Sequence, residues 1–564
     1  MVDQMPMPAL ISTPANTTVA GYLLRRLREH GVDHLFGVPG DFALSFFEHV
    51  ATTDMTIVNT CDEQGAGFAA DAYARVRGLG AVCVTYGVGG LKIANSTAQA
   101  MAEEVPVVVI SGAPSLHQRA SQQLLHHVIN GFDNQHRVFE HLTVATAVID
   151  DPSLACREID RVLDAALTFK RPVYIEIPRD MTLAEIVPSA PVPVPPTRVR
   201  DEATLAAAVA DAVSMLSAAA QPAVFVGLEP VRLGLLEQTR QFIERHSLPA
   251  FVTLLSKSAI SEQHPCFAGV YGGAMSRQPV REYVESADCL LMLGSLLSDL
   301  SLGGDTAHLP VERMILVGRD RVRIAHRTYE HVAFADFLAA LSQAGLPGYG
   351  NVVKPEPPVP AEPWTPAPAA TITVARLFER LASFVDDETV VIADPGDATF
   401  GALDLPVRQD FEFLANAFYA SLGFAIPASI GAQLAAPGRR PLVLVGDGAF
   451  QMTGVELSTS LRYGLNPIVV ILNNEGYLTE RLLTDGPFND VLSWRYAALP
   501  QLFGAGRSFE VSTEEDLETA LTSAHASNDL CIIEVHLARF DASPALKRLA
   551  DGLNAQARGV TPGS

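Results

Sequence analysis

The sequence predicts an α/β protein of three domains, each with a mostly parallel sheet flanked by helices. Three observations carry that expectation. Short β-branched runs ending in Gly or Asp are each followed by a helical pattern, as in strands joined by crossover helices. Two proline-rich runs, 188–196 and 354–368, cut the chain into three pieces of ordinary domain size. The 564 residues, 48% of them hydrophobic, suit three domains of about 100–200 residues with an ample core in each.

In the first segment a helix is expected over 19–28 and strands near 34–38, 56–59, 81–86 and 107–111. Helical stretches at 63–77 and 94–102 lie between them. The second segment shows strands near 223–227, 251–255, 289–294 and 314–318, and the third near 390–393, 441–446 and 467–473. Proline lacks the N–H and fixes φ, so the two proline runs are expected to be extended linkers. Ligands of such sheets sit beyond the carboxyl ends of the strands.

Composition excludes several classes of function. The 63 Asp+Glu against 40 Lys+Arg, a net charge of -23, would repel phosphodiester backbones, so no nucleic-acid partner is expected. No window holds the ~20 apolar residues of a membrane span, so no membrane partner is expected either. The first eighteen residues carry Asp3 but no Lys or Arg, and Pro6, Pro8 and Pro14 interrupt them, unlike an export signal. Cys61, Cys83, Cys156, Cys266, Cys289 and Cys531 are scattered without a CxxC pair. They read as reduced, mostly buried thiols of a cytoplasmic protein.

The most informative stretch is Gly446-Asp447-Gly448-Ala449 after an apolar strand, followed by Asn473-Asn474 at the end of another. Twenty-four residues separate Gly448 from Asn473, room for one crossover helix. Adjacent parallel strands would bring Asp447 and Asn474 to one sheet edge. A carboxylate, an amide oxygen and a backbone carbonyl near by form a hard-oxygen set suited to Mg²⁺. Gly446 and Gly448 allow close approach, and the N–H groups of the next helix can hold anionic oxygens. A GDG turn by itself reads equally well as a tight strand–helix connection. Joined to the Asn pair at this spacing, it resembles the diphosphate–metal motif of thiamine diphosphate (ThDP) enzymes.

Other parts of the chain extend the resemblance. Cys61-Asp62-Glu63-Gln64-Gly65 and the helix after it resemble the segment carrying that family's cofactor-activating glutamate, here Glu63. The thiazolium C2–H is a weak acid whose proton the cofactor's own aminopyrimidine must take. A buried carboxyl hydrogen-bonded to the pyrimidine ring favours the tautomer able to do so. Gly37-Val38-Pro39-Gly40-Asp41-Phe42 resembles the turn of 2-keto acid decarboxylases in which the Asp is catalytic. Leu124-Leu125-His126-His127 resembles their paired histidines, and Gly476-Tyr477-Leu478-Thr479-Glu480 matches the position of their active-site glutamate. Residues 484–490 and Trp494-Arg495-Tyr496 continue the likeness to pyruvate and indolepyruvate decarboxylases, from about Thr18 to the final helix. Taken singly, Asp41 reads as a helix cap, Glu63 as a charge at a helix start, Glu480 as a solvated charge, and the histidines between His117 and His141 as a surface loop. Four separated sites agreeing in type and order outweigh those readings.

The resemblance implies non-oxidative decarboxylation of a small-molecule 2-keto acid to an aldehyde and CO₂, with thiamine diphosphate and Mg²⁺ as cofactors. Asp447, Asn474 and the Gly476 carbonyl would hold the metal. Gly396, Asp397, Gly446, Gly448 and Ala449 would surround the diphosphate. Leu422 would prop the cofactor in its bent shape, and the Ala420 carbonyl would accept from its amino group. Asp41, His126, His127 and Glu480 would relay protons as a coupled set. The resemblance also implies a pyrimidine-binding domain over 15–187, a middle structural domain over 199–347 and a diphosphate-binding domain over 370–550. The chain is then expected to be a homodimer at least, in which Glu63 of one copy serves the Asp447 domain of another, with a homotetramer as the larger assembly.

Leu300, Thr399, Phe400, Thr479 and Leu483 are expected to form the substrate pocket. The pyruvate decarboxylases carry Trp at the place of Thr399, Ile at that of Thr479 and Tyr near that of Leu300. The smaller residues here enlarge the site and favour indole-3-pyruvate or phenylpyruvate. A pyruvate or branched-chain 2-keto acid decarboxylase is the alternative. An acetolactate-synthase-like carboligase ranks lower, since it would use a flavin in the middle domain and lack the His pair. Gly87-Val88-Gly89 lacks the third glycine of a dinucleotide fingerprint, which argues against a nicotinamide oxidoreductase.

Overall fold

A computed structural model of the chain describes residues 17–188, 201–356, 363–408 and 413–557. Two compact units divide it. The first takes the chain up to the first proline-rich run, apart from Asp71–Gly78 and Ala102–Glu104, which group with the remainder as the second unit.

The first unit holds a six-stranded, wholly parallel sheet. Its spatial order is Thr56–Asn59, His34–Gly37, Gly80–Val84, Val107–Ala113, Val173–Pro178, Thr146–Val148. Gly80–Val84, Val107–Ala113 and Val173–Pro178 are buried at every residue. That explains why the first two read as continuous apolar runs without alternation, whereas Val173–Pro178, interrupted by Glu176, was not among the expected strands. Helix Val19–Glu29 is capped by Thr18, whose hydroxyl accepts from the Gly21 N–H. It lays Leu23 and Leu27 into the same core as Ile159, Val162 and Leu163 of helix Ala155–Phe169. Helices Glu63–Arg77 and Ala94–Ala102 have the bounds expected from sequence.

The second unit contains two sheets. One orders Phe267–Val270, Ala250–Val252, Pro222–Val226, Cys289–Leu293 and Met314–Val317 in parallel, then adds Arg321–Ile324 and Arg327–Glu330 antiparallel. The other is wholly parallel: Phe413–Ala415, Thr389–Ala393, Arg440–Gly446, Ile468–Asn473, Cys531–His536, Arg507–Val511. Inward residues of both sheets join one apolar core, with Leu291 and Ile315 from one and Leu444 and Val470 from the other.

Several details depart from the sequence reading. The strand expected over 251–255 ends at Val252, because Thr253 and Ser256 cap one another and close a 3₁₀ turn over Leu254–Ser256. The first proline run lies, beyond Pro188, outside the described residues. The described part of the second is no free linker. The Trp364 ring lies under the Arg376 and Arg380 guanidinium groups at 4.9 and 5.7 Å, and the Ala367 N–H donates to Glu514 at 2.8 Å. None of the six cysteines is in a disulfide, and Cys83, Cys156, Cys289 and Cys531 are buried. Among the described residues no helix is long and apolar enough to cross a membrane.

Gly37 ends its strand four residues before Asp41, and a Cβ there would meet the Cys83 carbonyl oxygen at 2.1 Å. A backbone oxygen in mid-sheet cannot swing aside. Gly37→Ala is therefore expected to destabilise the protein by about 1–3 kcal/mol, read as a lowered denaturation midpoint by circular dichroism.

Candidate functional site

Strands Arg440–Gly446 and Ile468–Asn473 are parallel neighbours with Gly446 opposite Leu472, so the residues that follow them emerge at one sheet edge. Asp447 opens helix Asp447–Thr453 and is buried. Its Oδ1 accepts from the Gly448 N–H at 2.8 Å and its Oδ2 from the Gly476 N–H at 3.1 Å. Burial nevertheless pushes the Asp447 carboxyl up to about 6, against the pull of those N–H groups. A carboxylate held out of water in this way is stabilised by a hard cation. The Asn474 amide, buried beside it, is of the oxygen type such a cation takes, so the residues present fit Mg²⁺.

A cavity of about 550 Å³ opens at this edge. Gly446, Asp447, Gly448, Ala449, Asn474 and Gly476 line one part, with Gly396, Asp397, Ala420 and Leu422 beside them. Leu300, Thr399, Phe400, Thr479, Glu480 and Leu483 line the rest, Glu480 and Leu483 being exposed. Every cavity residue expected from sequence in this unit is thus brought together. Asp397 accepts from the Ser543 N–H at 2.8 Å through Oδ2, while its Oδ1 is buried without a partner. Burial pushes its carboxyl up to about 6.

The sequence reading missed three contributors here. Leu546, Leu549, Ala550, Leu553 and Asn554 of helix Pro544–Ala557 also line the cavity. Their i, i+3, i+4, i+7, i+8 spacing marks one helix face, legible in sequence as a stripe though not as a cavity wall. Asp394 is fully buried after strand Thr389–Ala393 and accepts from the Gly423 and Ala425 N–H groups at 2.9 and 2.7 Å. Its own carbonyl accepts from the Thr399 hydroxyl at 2.7 Å. One residue therefore ties the turn bearing Leu422 to the short helix Asp397–Ala402 bearing Thr399. Glu103 accepts from the Phe418 and Tyr419 N–H groups at 2.9 Å and pairs with Arg75 at 2.8 Å, steadying the approach to Ala420. Ala420 has φ 56°, a left-handed conformation that needs such support.

In the first unit Asp41, His126 and His127 converge, their ligand-type atoms lying within 4.8 Å of one another. The His126 Nε2 is 3.0 Å from the Asp41 Oδ2, and its ring stacks on Phe42 at 5.0 Å. His127 stands edge-on to His126 at 4.6 Å, and its Nδ1 is buried without a partner. Beneath lies a buried chain no motif announced. Gln135 donates to the Ser111 hydroxyl at 2.8 Å and the Tyr174 hydroxyl at 2.7 Å, and Tyr174 donates to Glu176 at 2.7 Å. Gln135 Oε1 accepts from the Gly87 N–H at 2.6 Å. Glu63 opens its helix largely buried, with the Lys92 ammonium 3.4 Å from its Oε2. Lys92, which also pairs with Asp62, carried no signal in sequence.

Sequence models of the thiamine pyrophosphate enzymes match three stretches of the chain. They are the N-terminal TPP binding domain at 17–137, the central domain at 209–344 and the C-terminal TPP binding domain at 394–535. Indole-3-pyruvate decarboxylase of Azospirillum brasilense is 36% identical over 543 residues, covering 95% of this chain and 98% of that protein. An alpha-keto-acid decarboxylase of Mycobacterium tuberculosis is 35% identical over 550 residues, 96% of this chain and 98% of its own. Pyruvate decarboxylase 4 of Arabidopsis thaliana is 33% identical over 560 residues, 95% and 92% respectively.

Burial pushes the Asp394 carboxyl up to about 7, well above its unfolded value near 4. The native state then holds the proton longer than the unfolded one, so its stabilising contribution is complete below about pH 4 and is lost as pH rises through about 7. Asp394→Asn turns an amide NH₂ toward N–H donors and is expected to cost about 1–3 kcal/mol. In urea titrations of the cofactor-free protein, the gap to wild type should be widest near pH 4 and narrow toward pH 7. A gap independent of pH would contradict this assignment.

Proposed function

The chain belongs to the thiamine diphosphate-dependent 2-keto acid decarboxylases, and from that premise we propose that its substrate is an aromatic 2-keto acid, indole-3-pyruvate or phenylpyruvate. The observation that carries this reading is the apolar wall of the 550 Å³ cavity. Leu300, Leu546, Leu549 and Leu553 line it, and Thr399 and Thr479 stand where bulk would close it. The cofactor would fill part of that volume, and an apolar wall with two small residues beside it suits an aromatic ring, such sites being typically apolar with a few placed polar groups.

Bound thiamine diphosphate supplies the electron sink for loss of CO₂. The chain's own residues bind, orient and move protons. Asp447, Asn474 and Gly476 would hold Mg²⁺, and Gly396, Asp397, Gly446, Gly448 and Ala449 would seat the diphosphate. Ala420 would accept from the cofactor's amino group through its carbonyl, with Leu422 as the prop beneath. Glu63 would hold a proton at its carboxyl against the pyrimidine ring. Asp41, His126, His127 and Glu480 would hold and pass protons at their carboxyl and imidazole atoms, with Phe400 and Leu483 completing the substrate pocket. The reading assigns 15–187 to pyrimidine binding, 199–347 to a structural role and 370–550 to diphosphate binding. It also takes the enzyme to be cytoplasmic and a homodimer at least, one copy lending Glu63 to another, with a homotetramer as the full assembly. Neither nucleic acid nor a membrane is a partner.

Steady-state kinetics with indole-3-pyruvate, phenylpyruvate, pyruvate and a branched-chain 2-keto acid, in ThDP and Mg²⁺, tests the substrate. The highest kcat/KM should fall to an aromatic acid, and a maximum for pyruvate would sink the proposal. Thr399→Trp should lower kcat/KM for indole-3-pyruvate by about 10–200-fold while sparing pyruvate. Glu63→Gln keeps the size but loses the acid, and should slow turnover by about 10²–10⁴-fold with every substrate.

A further inference from the structure

We propose that Arg481, braced by Asp490, is a positioning residue that shapes the 474–476 loop into a cradle for a divalent cation. The inference rests on the reading of Asp447, Asn474 and Gly476 as that cation's ligands. Arg481 lies on helix Leu478–Leu483, just past the loop, with its side chain wholly out of solvent. It is not among the residues lining the cavity, so any influence on a bound ligand passes through its neighbours.

Its guanidinium reads the loop backbone directly. Nη1 donates to the Asn474 carbonyl at 3.0 Å, and Nη2 donates to the Glu475 carbonyl and to the Asp490 Oδ1, the latter at 3.0 Å. A buried guanidinium is costly unless paired, and here one carboxylate, two consecutive carbonyls and, at 3.4 Å, the Arg539 carbonyl pair it. Drawing those two carbonyls toward Arg481 leaves the Asn474 side chain and Gly476 to the cavity that both line.

The loop needs that hold. Glu475 has φ 61°, a left-handed conformation that persists in a residue with a side chain only when surroundings over-determine it, and Gly476 follows at φ 154°, a region open to glycine. A Cβ at residue 476 would meet the Asn489 carbonyl oxygen at 2.2 Å and an Arg481 Nη at 2.3 Å, so loop, guanidinium and the strip around 489 pack as one piece. The strip is sewn on by the Tyr477 N–H donating to the Asn489 carbonyl at 3.0 Å and the Val491 N–H to the Glu475 carbonyl at 3.2 Å. Its Asp490 also pairs with Arg539. This gives the Gly486-Pro487-Phe488-Asn489-Asp490 motif a purpose: it carries the counter-charge that keeps Arg481 in place.

The test uses the full-length chain stripped of metal and cofactor with chelator. The Mg²⁺ concentration giving half-maximal ThDP binding is measured by calorimetry, for wild type, Arg481→Met, Arg481→Lys and Asp490→Asn. The half-saturating Mg²⁺ should rise by about 10–100-fold in Arg481→Met, the range typical of lost support behind metal ligands. Arg481→Lys should fall between, because an ammonium keeps the charge but not the fork that spans two carbonyls and a carboxylate. Asp490→Asn should shift in the same direction. A residue serving only stability would lower the unfolding midpoint of the cofactor-free protein and leave the Mg²⁺ requirement of the folded fraction alone. If Arg481→Met does not fold, Arg481→Lys and Asp490→Asn decide. Wild-type Mg²⁺ dependence in all folded variants overturns the proposal alone. A wild-type chain that binds ThDP equally with and without Mg²⁺ overturns the cation reading, and the proposal with it.

Discussion

A carboxylate held out of water at the carboxyl end of a parallel sheet is expensive, and the cavity's architecture in the second unit answers to that of Asp447. The pairing of Gly446 with Leu472 brings two strand ends level, so the N–H groups of Gly448 and Gly476 both reach it. Those dipoles offset part of the desolvation, leaving the carboxyl raised to about 6 rather than driven to neutrality. A slip of one residue in this pairing would turn alternate side chains to the other face and separate the two halves of the site.

The same economy recurs around the cavity. Asp394 spends its carboxylate on the N–H groups that begin the next helix, and so fixes the Leu422 turn. Glu103 does likewise for Phe418 and Tyr419, with Arg75 as its counter-charge. In the first unit, Gln135, Tyr174 and Glu176 form a satisfied buried chain beneath the His126–His127 pair. Buried polar networks of this kind rigidify when complete and are costly when broken. Those of Asp394 and Glu103 hold the segment that carries Ala420 and Leu422.

Much of this was legible before any fold was known. Helices 63–77 and 94–102 agree at both ends, because small apolar residues at helical spacing left no competing reading. The buried strands Val107–Ala113 and Ile468–Asn473 were found from their Val and Ile runs, whereas Val173–Pro178 and Cys531–His536, each interrupted by a Glu, were not expected though nearly as deeply buried. Phe413–Ala415 and Arg507–Val511 were missed: the first is three residues long and the second is largely half-exposed, so neither offers enough periodicity. Leu254–Ser256 looked extended in composition but closes into a 3₁₀ turn through a Thr–Ser capping box, a local hydrogen bond that outbids strand propensity. In the candidate site, Asp41, Glu63, Asp447, Asn474 and Glu480 announced themselves by motif. Asp394, Glu103 and Arg481 did not, because each acts on backbone groups brought near by folding, nor did Lys92, whose partners Asp62 and Glu63 lie about thirty residues away in sequence.

By itself, then, the sequence determined the class of fold and, through the resemblance of its motifs, the family and many of the side chains that line the cavity. Those follow from local patterns: apolar runs, glycine turns and polar residues at strand ends. Only the tertiary structure decided what holds them. Besides the counter-charges Arg75 and Asp490, the partners of Asp394, Glu103 and Arg481 are carbonyls and N–H groups, which nearly every residue possesses and no sequence distinguishes, and the leucine face of helix Pro544–Ala557 acquires its cavity only by docking. Backbone groups become specific by position, and position is a property of the folded chain.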